Sequence, residues 1–237
     1  MVGVRTGKIA ISFAVFNILT LVSRMAVTFQ VPLLTKYVEH NSDSNDLLHI
    51  FNVIILASGI ATIVGALLIP TFQRIFYKGV LHFSVERSIP KLVIHSFSKA
   101  GVNYIKDCVA IPLKENITGF NLRKLPIKII IYNLIAVALL TVGSLAPIYA
   151  GSIAPDLRAT CVTLSSIING IATILMSILI DPQLSVMTDD VIEGNCSEED
   201  FRAVVIGMVG SKTLGTFASL LLIIPASYLI AFIAKVI

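Results

Sequence analysis

The run IKIIIYNLIAVALLTVGSLAPIYA, residues 127–150, decides the fold. It exceeds the roughly 20 residues that an α-helix needs to cross about 30 Å of hydrocarbon, whereas an apolar run inside a soluble protein stops after about 10–14. Four further runs share its character: Ile9 to Leu34, Leu47 to Phe72, Ala159 to Ile180, and Phe201 to Ala234. The last is longer than one perpendicular span requires, so it must tilt, kink at Pro225 or protrude. A kinked single span is the preferred reading, because only Pro225 with Ser227 offers a turn for a re-entrant pair.

Composition agrees with these runs. Hydrophobic residues make up 56% of the chain and charged residues 14%, against about a quarter charged in ordinary soluble domains. The expectation is an all-α polytopic membrane helical bundle: one integral membrane domain over residues 1–237, with about five transmembrane helices. The first run follows Arg5 and Lys8 but is too long for a signal peptide and lacks an Ala-x-Ala exit, so it is read as a retained span.

Between the second and third runs the character changes. Residues 73–125 carry Arg74, Lys78, Arg87, Lys91, Lys99, Lys106, Lys114, Arg123 and Lys124, with Phe83, Ile89, Leu92, Val93, Phe97 and Ala100 at helical intervals broken by Pro90 and Pro112. That pattern suits basic amphipathic interfacial helices on an anionic leaflet. A solvated basic loop stays open as the alternative for its C-terminal half. Basic loops remain cytoplasmic, which places this stretch and the N-terminus inside, and the segment Glu39 to Asp46 and the turn at Pro155 outside. The count also places Asp181 to Asp200, read as a solvated acidic loop with Ser197 or Asp200 capping the last helix, on the inside. Asn116, Ile117 and Thr118 form a glycosylation sequon on that same side and are discounted.

Charges and amides inside apolar spans are costly, about 2.5–3.5 kcal/mol for Arg, Lys or Asp at a helix centre on insertion scales. Arg24 sits well into the first span and Lys212 well into the fifth. Asn17, Thr20, Arg24 and Thr28 share one helical face, as do Thr163, Ser166, Gly170, Thr173 and Ser177, with Asn169 alongside. In the fifth span Gly207, Ser211, Gly215 and Ser219 form a small-residue ridge flanked by Lys212 and Thr216. Close helix packing is the preferred reading for Gly207, Ser211, Gly215 and Gly170, and for Ser58, Thr62 and Ala66. It accounts poorly for Arg24, Asn169 and Lys212, which a polar, cationic path between helices explains better. A cationic path should serve an anion, for guanidinium meets phosphate oxygens in pairs while an ammonium acts as a point charge. Arg158 at the start of the fourth span adds a second guanidinium beside helix-end amides, unless Asp156 caps that helix and pairs with it.

The sequence holds no Walker loop, Gly-rich dinucleotide turn, HExxH or GxSxG nucleophile. Cys108, Cys161 and Cys196 are scattered, and His40, His49, His82 and His95 lie outside the apolar cores, so no metal site and no cofactor is expected.

The blocks VGVRTGKIAISFAVFNILTLVSRMA (Val2 to Ala26) with Gln30, Pro32, Leu33 and Leu34, PDLRATCVTLSSIINGIATIL (Pro155 to Leu175), DPQLSVMTDDVIEG (Asp181 to Gly194) and GSKTLGT (Gly210 to Thr216) resemble, in order, the Amj-type lipid II flippases of bacterial cell-wall synthesis. The likeness covers nearly the whole chain and is looser in the basic stretch, chiefly at Arg87 and Pro90. Members usually carry a further hydrophobic helix before the first block. Val27 stands where Asn is expected and Lys212 where Arg is common.

The resemblance implies transport rather than bond chemistry: passage of undecaprenyl-diphosphate-linked disaccharide pentapeptide, lipid II, across a bacterial plasma membrane. On that basis Arg24, Arg158 and Lys212 are assigned to the diphosphate at successive depths, Asn17, Gln30 and Asn169 to the sugar-peptide head group, and Arg5 and Arg87 to the cytoplasmic mouth. Lipid II and anionic membrane lipids are the expected partners. No nucleic acid is, and a homo-oligomer is left open. Two rival readings stand beside it: an integral membrane enzyme acting on a polyprenyl-phosphate lipid, and a non-catalytic subunit of a membrane complex.

Overall fold

The computed structural model describes residues 2, 6–40, 44–86, 98, 103, 105–110 and 126–237, and every regular element among them is helical. The helices are α1 (Ile9–His40), α2 (Ser44–Leu67), α3 (Ile69–Glu86), α4 (Ile127–Ile153), α5 (Arg158–Thr163), α6 (Ser165–Leu175), α7 (Asp181–Glu193) and α8 (Glu198–Val236). Among the described residues five candidate spans are long and apolar enough to cross a membrane: Ala10–His40, Asp46–Leu67, Ile127–Ile153, Pro155–Glu193 and Glu198–Val236. The fold is therefore the all-α polytopic bundle expected from the hydropathy pattern. The chain forms two compact units, one of residues 1–26 and 64–119, the other of residues 27–63 and 120–237.

In the first unit the apolar run that reached Phe72 in sequence divides at Leu68. The α2 helix stops at Leu67 and α3 begins at Ile69. Pro70 explains the division, since it has no N–H to give an α-helix and its ring disfavours helical backbone in the residue before it, yet it fits a first turn. α3 is amphipathic, with Phe72, Ile75, Phe76 and Val80 on one side and Arg74, Tyr77, Lys78 and His82 on the other. The buried Thr71 hydroxyl donates to the Ala110 carbonyl at 3.0 Å and accepts from the Ala110 N–H at 3.0 Å, tying the returning segment to the start of α3. Residues 87–97 and 111–125, including Arg87, Pro90, Pro112 and the Asn116 sequon, lie outside the described residues, as does most of the periodic pattern expected there.

In the second unit α4 is the centre, half buried along its most apolar window and packed most extensively against α8, then α6. The main core joins Val38, Leu47, Phe51 and Ile55 to Val142–Ala150 of α4, Cys161, Leu164, Ile223 and Ile230. Phe51 meets Tyr149 edge to face, with ring centroids 5.9 Å apart, a geometry worth about 0.5–1.5 kcal/mol beyond area burial. A smaller cluster gathers Ile129 and Ala136 of α4 with Met176, Leu179 and Ile180, and with Met208 of α8.

The fourth span is irregular. A 3₁₀ turn at Pro155–Leu157 leads into α5, and a π turn at Met176–Ile180 separates α6 from α7. Pro182 lacks the N–H that an α-helix would send to Ile178, so the chain widens there. The Gln183 side-chain amide donates to the Leu179 carbonyl at 2.9 Å. α8, by contrast, is one 39-residue helix running through Pro225. At about 1.5 Å per residue it is roughly 58 Å long, well beyond the bilayer core, so it projects or tilts.

Residues 181–200 differ from the solvated loop read in the sequence. They form α7, a tight turn and the first turn of α8. Gly194 adopts φ 80°, a left-handed backbone that suits glycine, and the Asn195 and Cys196 N–H groups both donate to the Asp190 carbonyl, at 2.8 and 3.0 Å. Ser197 caps α8 by accepting from Asp200 N–H at 3.0 Å. Charge density suggested a loop; helix-end chemistry allows acids in helices, because Glu198, Glu199 and Asp200 sit where the helix dipole favours them.

Candidate functional site

The site begins with the seam between α4 and α8. Ser211, Gly215 and Ser219 are buried on α8, and a Cβ added at Gly215 would lie 2.6 Å from the Leu134 carbonyl oxygen and 3.2 Å from Val137 Cβ. The ridge therefore lets two backbones approach, as small-xxx-small spacing does in membranes. The buried amide of Asn133 crosses this seam, its Nδ2 donating to the Met208 carbonyl at 2.9 Å and to Ser211 Oγ at 2.7 Å. Ser211 Oγ donates in turn to Met208 O at 2.9 Å. Further along, Ser227 Oγ donates to Ile223 O at 2.7 Å and lies 3.1 Å from Ala146 O of α4.

Lys212 breaks this seam. Ser211, Gly215, Ser219, Ile223 and Thr216, all buried, fall within an arc of about 140° on the surface of α8, and Lys212 lies inside that arc. Its side chain is nevertheless exposed. Lys212 is thus an exposed cation on the side of α8 that carries the buried ridge.

Arg158 occupies the other end of α4. Its Nε donates to the Gly151 carbonyl at 3.2 Å, and its Cγ lies 2.9 Å from where a Gly151 Cβ would stand, so any side chain there would force the stem to shift. Asp156 is exposed and gives no side-chain cap to the 3₁₀ turn or α5. The half-buried Arg158 thus spends its Nε on a carbonyl, and among the described residues its two Nη groups have no acceptor. Asn169 sits between the two ends, its Oδ1 buried, without a hydrogen-bond partner among the described residues, and 2.6 Å from the Cβ position of Gly143. Pro147 withholds the N–H that the Gly143 carbonyl would otherwise accept.

These contacts set depths along α4. From Asn133, bonded to Ser211 next to Lys212 in the chain, to Gly151, under Arg158, is about 27 Å at helical rise, and Asn169 at Gly143 falls about 15 Å along that path. Lys212 and Arg158 are therefore not brought together; they mark opposite ends of one helix with an amide between them. Gln30 is half-buried in the same unit. Asn17 is exposed on α1 in the other unit, and the side chains of Arg5, Arg24 and Arg87 lie outside the described residues. Among the described residues no group of three His, Cys, Asp or Glu gathers to hold a metal, and the three cysteines are free.

Sequence reasoning missed Asn133, Gly151 and Gly143. Asn133 carried a usable signal, an amide deep in an otherwise apolar run. The two glycines carried none, because their role is to make room for side chains of another segment.

The comparisons with known proteins agree with this membrane architecture. The family model Amj, described as Alternate to MurJ, matches residues 1–234. A curated relative, the lipid II flippase Amj of Bacillus subtilis (strain 168), is 33% identical over 237 aligned residues, which cover 98% of this chain and 88% of the relative. No solved structure matches significantly. A match over nearly the whole length, together with five apolar helices, makes this chain a multi-pass bacterial cell-membrane protein of the Amj family.

Proposed function

We propose that this protein translocates lipid II from the cytoplasmic to the outer leaflet through a polar, cationic groove alongside α4. The observation that carries the reading is Lys212, exposed although its neighbours on the same side of α8, Ser211, Gly215, Thr216 and Ser219, are buried. A lysine has no packing reason to be there. An opening between helices that receives an anion supplies one.

The physical task matches such a groove. A diphosphate with a sugar-peptide head cannot enter hydrocarbon unless its charges are paired and its polar groups bonded. α4 begins directly after the basic stretch, which the positive-inside rule places in the cytoplasm. Lys212 then serves as the inner station and Arg158 as the outer one, with Asn169 offering an amide between them. An ammonium holds the diphosphate as a point charge and lets it turn, whereas the two free Nη groups of Arg158 meet phosphate oxygens in parallel. The polyprenyl tail stays in lipid, and the head passes between stations as the helices rock about a fixed site. Gln30 and Asn17 contribute hydrogen bonds to the head group, Arg24 a further cation for the diphosphate, and Arg5, Arg87 and anionic lipids at the basic stretch the cytoplasmic mouth; these assignments rest on the family resemblance.

Lys212→Ala is the direct test, in cells whose only other lipid II flippase is removed. Losing one partner of a desolvated ion pair costs about 2 kcal/mol or more, roughly a thirtyfold fall in transport, while protein level should hold because the lysine is not a packing residue. Full rescue by this variant would remove Lys212 from the path and the groove with it.

A further inference from the structure

We infer that Asn133 is a positioning residue that aims Lys212 into the groove, an inference that rests on the role proposed for Lys212. Asn133 is 3% exposed and sits in the apolar run of α4. An amide in that setting must be bonded, and here both bonds of its NH₂ go to the next helix, to Met208 O and Ser211 Oγ. The acceptors are the informative part. In an α-helix the Lys212 N–H points at the carbonyl four residues earlier, which is Met208. The same oxygen receives the Ser211 hydroxyl at 2.9 Å. Three donors thus converge on the carbonyl that anchors the Lys212 backbone, and one of them comes from α4.

The arrangement fixes rotation as well as distance. The approach of Gly215 to Leu134 O sets how close α8 comes to α4 but constrains its roll weakly, since a glycine has no side chain to register. Asn133 grips two groups on one side of Lys212 and so sets the roll one turn before Gly215. With the amide gone, α8 can rotate on its glycine contact and carry Lys212 out of the opening.

Thiol labelling at position 212 tests this without relying on transport. Lys212→Cys is placed in a chain with Cys196→Ser, since Cys108 and Cys161 are buried, and reacted with a cationic methanethiosulfonate. Adding Asn133→Leu should slow labelling at least threefold, while labelling at Leu214→Cys, on the outer face of α8, stays the same. An unchanged or faster rate at 212, or an equal change at both positions, overturns the inference. If Asn133→Leu fails to accumulate, Ser211→Ala, which removes one of the two acceptors, takes its place under the same criteria. In transport assays Asn133→Leu should reduce rescue when Lys212 is present and add no further loss to Lys212→Ala. Should Lys212→Ala itself rescue fully, the transport role of Lys212 fails, while the labelling still decides whether Asn133 aims that side chain.

Discussion

The two sides of α4 are built differently. Against α8 it presents a tight seam: Gly215 on Leu134 O, with the Asn133 NH₂ and the Ser211 and Ser227 hydroxyls all hydrogen-bonded. Against the fourth span it meets a helix broken by a 3₁₀ turn and a π turn, an amide oxygen with no partner, and a guanidinium held through one nitrogen. The first side resists change because every polar group would have to be satisfied again. The second has slack, as the proposed rocking of the helices would require of one side.

Gly215→Val should break this contrast most severely. Even an alanine Cβ would stand 2.6 Å from a backbone oxygen that cannot swing away, and branching adds a second collision. Overpacking of this kind costs about 1–3 kcal/mol, read as a lower melting temperature in detergent and loss of transport. An unaltered melting temperature would mean the seam is looser than its distances say.

Asn169→Leu should move stability the other way. An unsatisfied buried amide costs about 1–3 kcal/mol, and a similarly shaped apolar side chain removes that cost. The variant is expected to melt higher while rescuing less well, because the amide between the two proposed cationic stations is gone. A variant that is both more stable and fully active would assign Asn169 to packing alone.

How much of this was legible beforehand follows from which interactions act locally. Apolar run length revealed the five spans because the bilayer is thicker than any soluble core helix requires. The ridge at Ser211 and Gly215 was visible as a spacing, and its role in packing followed from general membrane physics. Spacing could not separate it from the similar ridge at Gly170, where an added Cβ meets nothing within 4 Å. In α2 the close contact falls on Gly59 against Phe217, whereas Ser58 is exposed and Thr62 bonds to Ser58 of its own helix. The acidic segment misled because its charge masks a hairpin held by Gly194 and Ser197. Lys212 could be singled out by its cost, but the bond that Asn133 makes to its neighbour Ser211 joins residues 78 positions apart, and a single sequence does not record that pairing.

Gly151→Ala offers a smaller and more selective effect. The new methyl would meet Arg158 Cγ at 2.9 Å, and the stem is flexible enough to move aside. Folding should change by less than about 0.5 kcal/mol, while the Nε bond to the Gly151 carbonyl is lost and the guanidinium swings free. Transport should fall roughly fivefold, equivalent to about 1 kcal/mol. Arg158→Ala should fall further, and adding Gly151→Ala to it should change nothing more.

Gly170→Ala carries the smallest expected effect and gives the sharpest comparison with Gly215. Both glycines are helical, lie in spans and belong to ridges that look alike in sequence. Gly170 faces open space, so alanine adds no collision and removes glycine's helix penalty, at most about 1 kcal/mol in water. The melting temperature should hold or rise slightly, with rescue intact, whereas Gly215→Ala should lower both. If Gly170→Ala instead destabilised the protein to the same degree, a helix would have to pack against that face in the membrane, and the slack side of α4 would be firmer than its geometry implies.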